Sequence, residues 1–312
     1  MRSLDSQLDT YLVMRRARGY KLKTSEYLLR QFCTWLAQRG KTDTFTIDDA
    51  VTWARDPADA QPVWWSERLT VLRPFAAYLN AAGAGVPVIP RALLPSPSTR
   101  TTPFIYSQAD LEALLGACPR VFGNVRVAAT MRTIVGLLAA TGLRIGEAVR
   151  LAVSDFDAEN NVILVRAGKT PTNRLVPLDP TTTTCLQDYI AMPQRLAVHP
   201  DPTGPVFVTY QGTGFGIDTI EQYFRRLTRA AGLIARGRAR PRLHDLRHTF
   251  ATAHMVAAYQ HGDDPQRTLT LLATWLGHTH VADTYWYLTA TPQLMALAAE
   301  RLERSEPRGG QQ

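Results

Sequence analysis

The chain of 312 residues is long enough for two domains with ordinary cores, and its 45% content of hydrophobic residues is typical of a globular protein in water. A membrane protein is disfavoured, because the best apolar run, Ile134 to Leu143, is far shorter than the ~20 residues of a membrane span. A secreted protein is disfavoured, because the N-terminus lacks a signal-peptide core and the three cysteines are scattered. A net charge of +8 favours a polyanionic partner, and a reducing cytoplasm is the expected compartment.

Residues 1–85 predict a small helical domain. Apolar periodicity indicates a helix over about 4–18 and a second from a cap at Thr24 or Ser25 to Gly40. A third is indicated from Thr46 to about Arg55, and a fourth from Pro62 to a stop at Ala82-Gly83. The tryptophans of this region are interpreted as core residues rather than as base-stacking groups.

A proline-rich segment follows at residues 86–103, where five of eighteen residues are proline. Such a segment cannot continue a helix and favours an extended, semi-rigid connector. We therefore place a domain boundary here, with a second domain over residues 104–312.

The second domain has helical patterns interrupted by one β region. Two strands, Val162–Val165 and Arg174–Leu178, are predicted on either side of a turn, with a further short strand over 206–208. A long loop is expected over 260–267. Helices are predicted over about 107–117, 125–140, from Arg144 onward, 181–192, 219–231, 247–259, 269–276 and 292–303. The predicted fold class is mainly α with a small antiparallel β-sheet.

Three short segments of this domain carry candidate chemistry in a fixed order. The first reads Ala-Thr-Gly-Leu-Arg-Ile-Gly-Glu over 140–147, the second Leu-His-Asp-Leu-Arg-His-Thr-Phe over 243–250, and the third Leu-Gly-His over 276–278, with a tyrosine nine residues later. The candidate residues are Arg144, Glu147, His244, Arg247, His278 and Tyr287. In that order and spacing, these segments resemble the catalytic boxes of the tyrosine recombinase (phage integrase) family, over roughly the last two thirds of the chain.

The resemblance implies a two-domain, C-shaped DNA clamp, in which residues 1–85 are the SAM-like core-site-binding domain and 104–312 the catalytic domain. It also implies that Tyr287 attacks a DNA phosphodiester and forms a 3′-phosphotyrosyl link. Arg144 and Arg247 would bind the non-bridging oxygens, His244 would manage the tyrosine proton, and His278 would bond a phosphoryl oxygen. Glu147 would orient a cation. Because the covalent link conserves the bond energy, no metal or other cofactor is expected.

Lys169, at the predicted hairpin tip, is the candidate general acid. It is the only lysine in the catalytic half, although the chain has 35 basic residues and arginine fills the other basic positions there. An ammonium group can give up its proton, whereas a guanidinium cannot at accessible pH. The alternative is an ordinary solvated turn lysine.

An acid-free run of arginines leads into the His244 segment and predicts a track for the DNA backbone. A solvated basic surface is the alternative for such a run. The seven residues are Arg225, Arg226, Arg229, Arg236, Arg238, Arg240 and Arg242.

Two residue pairs invite other assignments. His244 and His248 stand four apart, a spacing that can bind zinc, but the segment supplies no glutamate base and no third ligand. His248 is therefore interpreted as structural. Tyr285 lies two residues from Tyr287, and the nine-residue offset from His278 favours Tyr287 as the nucleophile.

The expected function is site-specific recombination of double-stranded DNA by two sequential strand exchanges through a Holliday junction, as in chromosome resolution or in a mobile-element integrase. The expected assembly is a homotetramer, with room for accessory recombinase partners and no membrane partner. The apolar face of the last helix, 292–303, would dock on a neighbouring copy. A type IB topoisomerase-like nicking-closing enzyme and a non-catalytic DNA-binding regulator stay open as alternatives.

Overall fold

The computed structural model describes residues 3–95, 102–168, 173–199, 201–278, 284 and 292–305. The chain forms two compact units, residues 1–100 and 101–312, each with its own hydrophobic core. Helices dominate, and a three-stranded antiparallel sheet accompanies them, which confirms the predicted mainly α class. The described helices include none that is long and apolar enough to span a bilayer.

The first unit consists of four helices packed around aliphatic and aromatic side chains, as predicted. Thr46 and Asp49 form a reciprocal capping box before the third helix. The second helix begins earlier than a cap at Thr24 or Ser25 would allow, because Leu22 takes a left-handed conformation with φ 47° just before it. The helices are α1 Leu4–Ala17, α2 Lys23–Ala37, α3 Ile47–Arg55 and α4 Pro62–Ala81.

Part of the proline-rich segment packs on this first unit. Val86, Ile89 and Leu94 are buried in its core, with exposed fractions of 0%, 3% and 5%. The prolines between them prevent a helix, and the chain is irregular over 86–90 and turns over 91–94. The domain boundaries stay a prediction, and the described part of the connector, up to residue 95, belongs to the first core.

The second unit surrounds a long central helix with the remaining helices and the sheet. Its helices are α5 Gln108–Val121, α6 Val125–Thr141, α7 Ile145–Ala148, α8 Pro180–Ala191, α9 Pro193–Leu196, α10 Ile217–Ala230, α11 Asp245–His261, α12 Pro265–Leu276 and α13 Pro292–Ser305, with a 3-10 turn at Val153–Asp155. α6 contacts α5, α8 and α11, which places it at the centre of the core.

The sheet contains the predicted hairpin and a short additional strand. Its strands are β1 Phe156–Asp157, β2 Val162–Val165 and β3 Arg174–Pro177. All neighbours are antiparallel, and the register pairs Val162 with Pro177 and Val165 with Arg174. Residues 169–172, which connect β2 to β3 in sequence and include Lys169, lie outside the described residues.

Two local predictions were wrong. Residues 206–208 are fully buried but form no strand: this stretch and Pro205 make isolated bridges, between Ala152 and Pro205 and between Val208 and Gly214. Apolar burial alone produced that strand signal. The expected loop over 260–267 is short, because α11 continues to His261 and α12 begins at Pro265, where Asp264 caps it by accepting a hydrogen bond from the backbone of Gln266.

Gly142 ends α6 in a left-handed conformation, with φ 64°, against the ring of Phe250. A Cβ at this position would lie 2.6 Å from Phe250 Cδ1. We expect Gly142→Ala to lower the free energy of unfolding by about 2–4 kcal/mol, because backbone strain and overpacking add.

Gly262 is the matched control. It ends α11 in a similar conformation, with φ 78°, and a Cβ there would meet nothing within 4 Å. Gly262→Ala should therefore cost only the backbone term, about 1 kcal/mol. Urea unfolding of both variants measures the difference, and equal losses would refute the packing argument.

Candidate active site

The predicted site residues of the second unit divide into two groups. Arg144, Glu147, His244, Arg247 and His278 lie within the described residues, and the structure brings the side chains of four of them, all but His244, into one hydrogen-bonded cluster. Lys169 and Tyr287 lie outside the described part of the chain, so their roles stay predictions.

Arg144 and Glu147 form the first half of the cluster. Gly142 ends α6, and Arg144 then stands immediately before the short helix α7. The backbone N–H of Arg144 donates to Glu147 Oε2 at 3.0 Å, and Arg144 Nη1 donates to Glu147 Oε1 at 3.1 Å. About a quarter of the Arg144 side chain stays exposed. Glu147 is therefore placed where it can orient Arg144, which keeps access to solvent, and its role in the site stays a prediction.

Arg174 is a member of this cluster that sequence reasoning missed. It donates from Nη2 to Glu147 Oε2 at 2.8 Å and from Nη1 to Glu147 Oε1 at 3.1 Å. Burial alone would raise the pKa of Glu147, but the hydrogen bonds from Arg174 and the Arg144 backbone outweigh it and hold that pKa below its ordinary value. The available signal was an arginine at the start of an apolar strand, next to the candidate lysine turn.

Arg247 forms the second half of the cluster and is almost completely buried, with 2% exposure. Its Nη1 donates to the carbonyl oxygen of Gly142 at 2.8 Å, and its Nη2 donates to that of Leu276 at 2.6 Å. Nη2 also lies 2.8 Å from His278 Nε2. The buried guanidinium thus joins the end of α6 to the end of α12 and holds His278 beside them.

The contacts of His278 assign its protons. A guanidinium only donates, so Nε2 of His278 accepts from Arg247. Nδ1 then carries the proton and donates to Oγ1 of Thr284 at 2.7 Å. His278 is therefore held as a neutral imidazole with a defined orientation.

The end of α12 is the point where the three arginines meet. Arg174 Nε donates to the carbonyl of Trp275 at 2.8 Å, Arg247 to that of Leu276, and Arg144 Nη2 to that of Gly277 at 3.4 Å. The last carbonyls of a helix have no partner within the helix and carry partial negative charge. Three consecutive carbonyls are satisfied here by three cations from distant parts of the chain.

His244 stands immediately before α11, with its ring 5.1 Å from that of His248 and perpendicular to it. His244 is exposed to solvent, yet desolvation by the surrounding protein, followed by the nearby Arg247 cation, lowers its pKa below the ordinary value. Burial, followed by His244, lowers the pKa of His248 to about 3. Both imidazoles are neutral near pH 7, so His244 is in the form that can accept a proton.

The arginine run before His244 is not uniform. Arg236 binds Asp110 at 2.8 Å, and Arg242 binds the fully buried Asp245 at 2.7 Å. Arg226 donates to the carbonyl of Val121. All seven arginines are exposed, so the run differs in its partners and not in its accessibility. Its role as a DNA contact stays a prediction.

Removal of the Glu147 charge should destabilise the fold. Glu147→Gln leaves Arg174, whose side chain is only 11% exposed, without its counter-ion. We expect a loss of about 2–4 kcal/mol in the free energy of unfolding. Glu221→Gln removes an exposed carboxylate 3.7 Å from Arg225 and should change stability by less than about 1 kcal/mol.

Comparison of wild type with Glu147→Gln also tests how the free energy of unfolding depends on pH. Because the folded-state pKa of Glu147 is depressed, its contribution is complete above the ordinary glutamate value of 4.5 and is lost as pH falls through the lower folded value. Unfolding curves between neutral and acid pH should therefore converge for wild type and Glu147→Gln at low pH. Parallel curves would show that Glu147 does not carry the predicted charge.

The comparison with known proteins agrees with this geometry. Residues 106–293 match the phage integrase family. The chain is 37% identical over 309 residues to a protein named integrase/recombinase y4rB from Sinorhizobium fredii, a match that covers 97% of this chain and 98% of that protein. It is 35% identical over 164 residues to tyrosine recombinase XerC from Lactobacillus delbrueckii subsp. bulgaricus, covering 52% of this chain and 51% of that protein.

A solved structure shows the same fold. The Tn1549 transposon integrase in complex with a circular intermediate DNA superposes with a TM-score of 0.67 at 20% identity, covering 97% of this chain and 100% of that chain. The catalytic-box order, the clustered arginines and the full-length relative lead to one conclusion. The chain belongs to the phage integrase family, the tyrosine recombinases, and is a site-specific DNA recombinase.

Proposed function

We propose that this recombinase cuts and rejoins double-stranded DNA with Tyr287 as nucleophile and Arg144 and Arg247 as the phosphate-binding pair. The observation that carries this proposal is the convergence of Arg144, Arg247 and His278 at the end of α12. Two guanidinium groups and an oriented imidazole on one helix end are suited to a phosphoryl group whose non-bridging oxygens gain charge during in-line attack.

We assign proton transfer to His244 and Lys169. His244, with its lowered pKa, accepts the proton of the Tyr287 hydroxyl as the oxygen attacks phosphorus. Lys169 gives a proton to the departing 5′-oxygen, which leaves as a hydroxyl. The phosphodiester becomes a 3′-phosphotyrosyl ester, and the reverse attack by a 5′-hydroxyl restores it without an external energy source.

The proposed substrate is a pair of DNA recombination sites held by four copies of the chain. The family implies two successive strand exchanges through a Holliday junction, and the transposon integrase of similar fold supports a mobile-element role. Accessory recombinase partners are compatible with this assembly. All three cysteines are unpaired thiols, which fits the proposed cytoplasmic location.

The last helix has its own place in this proposal. α13 packs on α11 of the same chain, where Leu294 is 1% exposed among the side chains of Phe250, Met255 and Leu272. Arg301 also donates to the carbonyl of Asp263. We propose that the apolar face of α13 leaves this site and docks on a neighbouring copy when the tetramer forms.

Covalent capture tests the nucleophile. Tyr287→Phe should bind DNA as tightly as wild type but give no covalent complex with a nicked suicide substrate, because it lacks the attacking oxygen. Tyr285→Phe is the matched control and should keep the adduct. The reverse pattern would move the nucleophile by two residues.

A plasmid with two recombination sites separates recombination from topoisomerase-like activity. Recombinant products support the recombinase, whereas relaxation alone would support nicking and closing.

The arginine run can be tested by separating its members. Arg238 and Arg240 are exposed and carry no ion pair among the described contacts, whereas Arg236 is held by Asp110 and by the carbonyl of Ile105. Replacing Arg238 and Arg240 together by Ala should flatten the salt dependence of DNA binding by about 0.9 per lost phosphate contact. Arg236→Ala should mainly lower the melting temperature. An unchanged salt slope in the double variant would show that this loop faces away from DNA.

A further inference from the structure

Tyr106 joins the start of the second unit to the segment that carries His244. Its side chain is buried, with 4% exposure, and its hydroxyl donates to the backbone carbonyl of Arg242 at 2.9 Å. Its backbone N–H donates to Oγ1 of Thr249 at 3.0 Å. Arg242 precedes His244 by two residues and Thr249 follows it by five. A single distant residue therefore holds the chain on both sides of the proposed base.

The same contacts extend to Asp245, the residue after His244. Thr249 Oγ1 accepts from Tyr106 and donates its own proton to the carbonyl of Asp245 at 2.9 Å. The carboxylate of Asp245 belongs to a fully buried residue and accepts from the backbone N–H, Nε and Nη2 of Arg242 at 3.2, 3.0 and 2.7 Å. Arg242 and Asp245 thus close a loop around His244, and Tyr106 is tied to it at both ends.

The imidazole of His244 depends on this loop for its direction. The residue is exposed, its ring contacts that of His248 edge to face at 5.1 Å, and among the described residues its ring nitrogens have no hydrogen-bond partner. A catalytic base is normally oriented by a hydrogen bond to a third group. Since His244 has no such bond here, the backbone on which it stands sets where its ring points.

Tyr106 is a rigid support for that backbone. Its ring lies 4.9 Å from the ring of Phe104 and 6.4 Å from that of Phe224, both of which are buried in the same core. Burial, followed by the Asp245 carboxylate, raises the pKa of Tyr106, so its hydroxyl keeps its proton and remains a donor. A phenylalanine would fill almost the same space, and the hydroxyl therefore contributes the hydrogen bond to residue 242 rather than the packing.

We propose that Tyr106 is a positioning residue of the recombination reaction, which holds residues 242–249 so that the His244 imidazole keeps the direction that proton transfer requires. The proposal rests on the role of His244 in the proposed function. Because Tyr106 is buried, it acts through the backbone beside His244 and not on the reacting atoms.

The test uses the full chain and the nicked suicide substrate. Tyr106→Phe should bind DNA with the affinity of wild type but form the covalent adduct about tenfold more slowly, because a small misplacement of a catalytic group can cost up to about 10²-fold in rate. Tyr189→Phe is the matched control: Tyr189 is also 4% exposed, lies in the same core, and has its hydroxyl 2.9 Å from that of Thr130. It should lower the melting temperature by a similar amount and keep the wild-type rate. Equal adduct rates for the two variants would overturn the proposal.

A second background shows whether Tyr106 acts through His244. In His244→Ala, which is itself slow, adding Tyr106→Phe should leave the remaining rate unchanged, because the imidazole that it orients is gone. A further tenfold loss there would show that Tyr106 serves another group, and the proposal would be wrong. The proposed function is judged on other variants: a wild-type rate for His244→Ala would remove His244 as the base, and a wild type that forms no adduct would defeat the recombinase mechanism.

Thr249 offers an independent route that leaves the Tyr106 side chain in place. Thr249→Val has nearly the same shape but loses both the acceptor for the Tyr106 N–H and the donor to Asp245. It should slow adduct formation without weakening DNA binding, whereas Thr249→Ser, which retains the hydroxyl, should recover most of the rate. Equal rates for the valine and serine variants would contradict the proposed link.

Discussion

The C-terminal end of α12 is the constraint on which the candidate active site depends. Three successive carbonyl groups there, those of Trp275, Leu276 and Gly277, accept hydrogen bonds from Arg174, Arg247 and Arg144. These arginines come from β3, α11 and the residue before α7, which are far apart in sequence. The partial negative charge of one helix end thus gathers side chains that no local structure would bring together.

Among the contacts of the described residues, this site holds more guanidinium groups than carboxylates. Glu147 is the one carboxylate that the described contacts place in the cluster, and it pairs with two of the three guanidinium groups. Backbone carbonyls can orient a cation but carry only partial charge, so they do not neutralise it. In the proposed function, a DNA phosphodiester is the group that these oriented cations receive.

Periodicity predicted most of the helices and the hairpin, and short motifs named five candidate site residues that the structure describes. Arg174 escaped because its role lies in contacts with Glu147 and Trp275, which are 27 and 101 residues away. The sequence analysis placed the start of α12 too late, because glycine, two acids and proline in succession are typical of a loop. Here Asp264 is the helix cap and Pro265 the first helical residue. Capping residues and loop residues share a composition, and only the partner atoms separate them.

α11 and α12 form an antiparallel pair joined by a turn of three residues, Gly262 to Asp264. From that turn, Arg247 lies about 22 Å back along one helix and Leu276 about 18 Å along the other, at roughly 1.5 Å per residue. The two helices are joined at their far ends by the hydrogen bond of 2.6 Å from Arg247 Nη2 to the carbonyl oxygen of Leu276. A residue inserted in either helix would shift its far end by about 1.5 Å along the axis and rotate it by roughly 100°. Insertions and deletions among related proteins should therefore occur in the turn, while α11 and α12 keep their lengths.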